Sequence, residues 1–477
     1  MDKYENPLCT RYASKQMQYI FSPDNKFQNW RKLWYSLAKA QKKLGLANIT
    51  DEQLEEMKKN ISNIDFQKAK EYEKKLRHDV MAHVYTFGDA CPKARPIIHL
   101  GVTSAFVGDN TDLIQIKEAL ILVKKRLLVV MESLVNFADK YKEVPCLSYT
   151  HFQAAQLSTV GKRASLWLKS FVYDFYEIDK RINNLEFRGV KGTTGTGASF
   201  KELFGDNYEK MKELDRLVTE ESGFKKCQEI SSQTYDRKQD TYILQTLASL
   251  ADSAYKMTND FRLLQHEKEI EEPFEKNQIG SSAMAYKRNP MRCERVSALA
   301  KFVISLEMNG HLVHSSQWLE RTLDDSANKR LSYPQAFLAI DAILIILENI
   351  LDGVVVYKKM IEKNIRKELG FMATENIMMD AVKKGMDRQK VHEIIRTLSM
   401  EEVKSIKIEG KENHLIDRIV KDGRLGLTMK DMEKILDPKQ YIGFSVEQTK
   451  EYLSKVRKIL DDNNKFLRIK KEDLTLW

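Results

Sequence analysis

Residues 278–295, QIGSSAMAYKRNPMRCER, put Gly280, Ser281, Ser282, Lys287, Arg288, Asn289, Pro290, Arg292 and Arg295 on one short segment of an otherwise helix-friendly chain. Two hydroxyls, an amide and a group of cations together suit the capture of a small polyanion. Four further segments break the helical texture with polar, Gly and His residues: 76–83 (LRHDVMAH), 100–112 (LGVTSAFVGDNTD), 149–156 (YTHFQAAQ) and 320–330 (ERTLDDSANKR). Each offers short hydrogen-bonding side chains near an expected helix terminus, where backbone N–H groups are free to bind anions. A fifth, 188–200 (RGVKGTTGTGASF), reads as a mobile Gly- and Thr-rich loop. It lacks the GxxxxGK[ST] spacing of a triphosphate-binding loop.

Taken singly, each group has a plainer reading. His78 and His83 are five apart rather than four, and no HExxH occurs, so no metal site and no cofactor is expected. His151 alone could be a satisfied core histidine. Asp324, Asp325 and Ser326 could cap a helix, and Ser281 and Ser282 could cap the helix that resumes near Met291.

The elements that must position these residues are helical. Leu113, Ile116, Leu120, Val123, Leu127, Val130, Leu134, Phe137 and Tyr141 step by three and four, as a long bundle helix requires. Ile121, Leu122, Leu128 and Val129 are apolar too, so this helix must be covered on more than one side, by helices of its own chain or of other subunits. Similar spacing runs from Val160 through Trp167 and Phe171 to Leu185, and from Tyr242 through Leu250 and Phe261 to Leu264. No series of alternating β-branched runs with turn dipeptides appears, so no sizeable sheet is expected. An all-α chain of 477 residues exceeds one ordinary core, and three regions are expected: an N-terminal helical domain over 1–109, a central long-helix bundle over 110–357 and a C-terminal helical domain over 358–477.

Composition narrows the function classes. With 42% hydrophobic and 31% charged residues the chain reads as soluble and globular, and its five scattered cysteines, with no CxxC pair, fit a reducing cytoplasm. The start MDKYENPLCTRYAS has no signal-peptide core, and the greasiest segment, from Ala336, is interrupted by Asp341, Glu348 and Asp352, so no membrane partner is expected. A net charge of +10 invites nucleic acid, but Lys and Glu alternate in segments such as DEQLEEMKKN in the manner of solvated helix faces, and no nucleic-acid partner is expected. The Lys-rich end, RIKKEDLTLW, reads as solvated.

Joint occurrence shifts the balance. GSSAMAYKRNP resembles the signature of the fumarase/aspartase superfamily, GSSxMPxKxNP, and RHDVMAH, HLGVTS, GDNTD, YTHFQ, FRGVKGTTGT and RTLDDSANKR together resemble the adenylosuccinate lyase family in its animal-type form. These blocks run from about Arg11 to Glu375 and support the last hundred residues only weakly. The resemblance implies a homotetramer with active sites shared between subunits. It also implies β-elimination of fumarate from adenylosuccinate, giving AMP, and from SAICAR, the succinylated aminoimidazole carboxamide ribotide, giving AICAR.

By the same resemblance Ser281 is the base, where the residues alone leave Ser282 open, and His151 is the acid. Arg11, Tyr12, Arg77, His78, Asp79, Thr103, Ser104, Thr150, Gln233, Lys287, Asn289, Arg295, Arg321, Ser326 and Arg330 are the implied substrate-binding positions. Asp79 could instead be a structural carboxylate paired with Arg77. Ala285 departs from the signature's proline. The rivals are another superfamily lyase, such as one for argininosuccinate, and an inactive helical scaffold.

Overall fold

A computed structural model describes residues 2–46 and 48–469. The reading of RIKKEDLTLW as solvated falls, from Lys470 onward, outside the described residues. Helices dominate, as expected for the all-α class, and long ones form the body: Ser104–Lys140, Val160–Asn184, Lys238–His266, Met291–Ser315 and Asp324–Gly353. Among the described residues no helix is long and apolar enough to cross a membrane.

The Ser104–Lys140 helix buries Leu113, Ile116, Leu120, Val123, Leu127, Val130 and Leu134, the residues whose spacing marked it, together with Leu122 and Leu128. Ile121 and Val129 stay half-exposed in the single chain. The next long helix crosses its C-terminal end closely: the Gly161 N–H donates to the Tyr141 carbonyl at 3.0 Å, and an added Cβ would strike the Lys142 backbone. The apolar run from Ala336 is a buried helix, and Asp341 within it pairs with the equally buried Arg126 and accepts the Ser14 N–H at 2.7 Å. This helix begins at Asp324, ten residues before Pro334, and continues through that proline. Its first turns are fastened from the side, Asp325 to Arg237 at 2.7 Å and Lys329 to Asp112 at 3.0 Å, which offsets the hydrogen bond that proline removes.

Two small antiparallel two-stranded sheets are the only sheets among the described residues. One pairs Pro145–Thr150 with Gln153–Thr159. The other joins Ile270–Glu271 to Val355–Val356 and ties the end of the bundle to the following helix, Lys358–Met372. A second, smaller core of Ala373, Ile377, Ala381, Val391, Leu415 and Met432 follows, after which the Ser445–Asp462 helix returns to pack on Ser104–Lys140 and Val160–Asn184.

Candidate active site

At one end of the bundle the starts of several helices converge on a cavity of about 660 Å³. Of the expected binding residues, Arg77, His78, Asp79, Ser104, Gln233, Arg321, Ser326 and Arg330 line it. Arg77 closes the Phe66–Leu76 helix in the left-handed region (φ 56°), and His78 caps the next helix, its ring accepting the Met81 N–H at 3.3 Å. That reversal delivers adjacent side chains to one wall. Ser104 stands 3.4 Å from the second His78 nitrogen, and Thr103 is the N-cap residue of the Ser104 helix. Asp79 pairs with Arg330 at 3.4 Å and with His78 at 3.7 Å, so its partner is not Arg77. Gln233 donates to the Thr193 carbonyl at 3.0 Å.

Beneath these residues lies a buried network that sequence reasoning missed. Arg237 donates to both oxygens of Asp109 (3.0 and 3.1 Å) and to Asp325, which also receives Arg321 at 3.1 Å. Asp324 and Asp325 are therefore not side-chain caps of the helix they begin. Burial would raise the Asp109 carboxyl, but the Arg237 and Lys329 cations overcome it and hold it at about 2. Asp325 and Lys329 lay inside a recognised block; nothing in the sequence marked Asp109 as the partner of Arg237.

The 188–200 segment is anchored rather than free. Arg188 is wholly buried and donates to the carbonyls of Gln233 (2.7 Å), Gly189 (3.1 Å) and Gly192 (2.9 Å), so the loop wraps its own guanidinium and braces Gln233. Burial lowers that guanidinium to about 10. A composition rich in Gly and Thr cannot reveal such an anchor.

The signature segment lies elsewhere. It precedes the Met291–Ser315 helix, whereas Arg321, Ser326 and Arg330 follow it, and 25 residues of helix span about 37 Å. The segment is a loop with a closed neck: Gly280 lies against the Lys287 carbonyl, leaving no room for a Cβ, and Asn289 donates to the Gly280 carbonyl at 2.8 Å. Ser281 Oγ accepts the N–H groups of Ala283 (3.3 Å) and Met284 (3.1 Å). Two donors aimed at one hydroxyl oxygen favour its ionised form. Neither serine caps the helix; its N-cap is Pro290, without a side-chain bond. Lys287 is exposed, and Arg295, one turn into the helix, donates to Tyr12 Oη at 2.6 Å. Arg11 neighbours Tyr12 on the short helical turn Leu8–Tyr12.

Thr150 and His151 occupy a third position. They sit at the tip of the first hairpin, not at a helix terminus, and His151 is exposed, which removes the core-histidine reading. His151 (φ 52°) and Phe152 (φ 55°) form a two-residue turn with both residues left-handed, a conformation that usually recruits Asn-Gly. Such residues cost about 1–3 kcal/mol each and persist where the surroundings hold them, often at functional sites. The hairpin stands at the signature-loop end of the bundle: burial, then the Glu269 and Glu267 carboxylates, push the Tyr149 phenol up.

Comparison with known proteins now bears on these clusters. The Lyase family profile matches residues 17–305, and that of the adenylosuccinate lyase C-terminus matches 370–452, the stretch least supported by motifs. The chain is 50% identical to adenylosuccinate lyase of Saccharomyces cerevisiae over 469 residues, covering 98% of this chain and 97% of the relative. The chain belongs to the adenylosuccinate lyase family. Adenylosuccinate lyase of Schizosaccharomyces pombe is 48% identical, with 95% of this chain and 94% of the relative covered. The family's superfamily fold appears in 3-carboxy-cis,cis-muconate lactonizing enzyme from Pseudomonas putida, with a TM-score of 0.80 at 19% identity over 95% of this chain and 99% of that one. Fumarate lyase from Mesorhizobium sp. BNC1 gives 0.77 at 20%, again over 95% and 99%. As a member of this family the chain is a fumarate-releasing lyase.

Proposed function

We propose that this lyase cleaves adenylosuccinate to AMP and fumarate, and SAICAR to AICAR and fumarate, in the cytoplasm, as a homotetramer of three-domain chains divided near residues 109 and 357. The observation that carries the substrate class is the cavity in which Arg77, His78, Asp79, Ser104, Gln233, Arg321, Ser326 and Arg330 meet. The substrate's phosphate and two carboxylates bring about four negative charges, and Arg forks pair with such groups bidentately.

Ser281 takes the proton from the succinyl Cβ. The electrons remain as an aci-carboxylate, then form the C=C bond of fumarate as the C–N bond breaks, and His151 protonates the departing nitrogen. The two amides at Ser281 Oγ support its role as alkoxide base. Lys287, Asn289, Thr150, Thr103 and Ser104 hold the fumarate portion; Arg321, Ser326 and Arg330 face the nucleotide, while Arg11, Tyr12 and Arg295 complete the anion-holding set.

Distance within one chain supports sharing between subunits. One chain keeps Ser281 and Arg330 at opposite ends of a helix about 37 Å long, too far for one small molecule to touch both. Exposed apolar side chains, Leu166, Tyr173, Tyr176, Met308 and Leu312, sit on the long helices where partner chains would cover them.

The purified protein should change the ultraviolet absorbance of adenylosuccinate and of SAICAR but not of argininosuccinate. Absence of cleavage of both purine substrates refutes the reading. Mixing inactive Ser281→Ala and Arg330→Met chains through reversible subunit exchange should restore activity in hybrid tetramers, and no recovery refutes site sharing.

A further inference from the structure

We infer that Lys26 is a further substrate-holding residue, whose ammonium meets the phosphate of the bound nucleotide. This rests on reading the cavity as the nucleotide side of the site. Lys26 lies in the first turn of the Pro23–Lys43 helix and lines the cavity with Arg77, Asp79 and Arg330. It comes from a segment that none of the recognised motifs includes.

Apart from Arg77, the cations around it are already employed. Arg237 is held by Asp109 and Asp325, Arg321 by Asp325, Lys329 by Asp112, and Arg330 by Asp79. Among the described residues, no ion pair joins Lys26. Its nitrogen stands 5.4 Å from the Phe27 ring centre and 5.3 Å from that of Trp30, while Glu73, Asp79 and Asp112 act on it only at longer range. Arg330 opposes it, and the neighbouring buried His83 feels its charge.

Burial lowers the Lys26 ammonium against the pull of Asp112, so the cavity wall holds a partly desolvated cation without a carboxylate of its own. That arrangement is unfavourable until an anion arrives. A phosphate has the charge and the acceptor oxygens to complete it, and the position beside Arg330 places Lys26 with the residues that face the nucleotide. A merely structural lysine would use its stem to cover Trp30, a task methionine performs equally well.

Lys26→Met and Lys26→Arg in the full-length protein separate these roles. Calorimetric titration with AMP, adenosine and fumarate reads the ligand contact, and steady-state kinetics read KM against kcat. In Lys26→Met, AMP binding should weaken on the order of ten- to a hundred-fold, the loss expected for one charge-assisted hydrogen bond. KM for adenylosuccinate should rise in proportion with kcat little changed, adenosine and fumarate should bind as before, and Lys26→Arg should recover most of the loss. Unchanged AMP affinity overturns the inference, as does equal weakening of adenosine and AMP, or weakening of fumarate alone. If Lys26→Met fails to fold, Lys26→Gln carries the same test. Wild-type protein that binds AMP without cleaving adenylosuccinate sinks the proposed activity but leaves this comparison valid.

Discussion

Replacing Asp109 by Asn removes one carboxylate from the clamp on Arg237 and so measures how firmly the floor of the cavity is tied. Asp109 is buried, takes two guanidinium hydrogen bonds and also accepts the Tyr235 N–H at 2.9 Å. Removing one partner of a buried ion pair costs about 3–5 kcal/mol. Arg237 keeps Asp325, so the low end applies. The ionisation of Asp109 points the same way: a fall from the usual 3.8 to about 2 corresponds to roughly 2–3 kcal/mol. Because this carboxyl is held below its unfolded value, its contribution is complete above pH 3.8 and fades as pH falls through 2. Guanidinium unfolding followed by circular dichroism, at one fixed protein concentration, should show Asp109→Asn less stable by about 2–3 kcal/mol at pH 7. The loosened Arg237 and Arg321 should also raise KM for adenylosuccinate. A variant as stable as the wild type at pH 7 would refute the clamp.

Ser281→Ala should lose several orders of magnitude in kcat with an unchanged melting temperature, since Oγ touches only its own loop; turnover near wild type would move the base, first to Ser282. Burial raises the Asp174 carboxyl to about 6, so its ionisation opposes folding: the penalty is absent below 3.8 and complete above about 6. Asp174→Asn, measured by guanidinium midpoint, should gain on the order of 1–3 kcal/mol at pH 7.5 and nothing at pH 3.5, and equal gains at both would be the wrong result. Ala285→Pro should stiffen the exposed loop by roughly 0.5–1 kcal/mol and slow trypsin cleavage at Lys287 and Arg288 without abolishing turnover; unchanged protease sensitivity would tell against it.

Local periodicity made the long helices legible, because a greasy stripe at three- and four-residue steps has only one regular solution. The hairpin at Thr150 and His151 was not legible. Its turn is His-Phe rather than a glycine dipeptide, and the two left-handed residues are imposed by the antiparallel pairing of the flanking strands, which pack on Lys358–Met372 and Ser445–Asp462. Composition likewise misled at residues 188–200, where one buried arginine fixes a Gly-rich loop.

The residue types that suit a polyanion, and their motifs, were written in the sequence by itself, since side-chain chemistry is local. Which of them meet was decided by tertiary structure alone. Helix lengths carry Ser281 and Arg330 to opposite ends of one element, and helix starts far apart in the chain bring Lys26, Arg77, Ser104 and Arg330 to one cavity. Contact between residues hundreds of positions apart depends on how rigid helices pack, and no spacing along the chain encodes it.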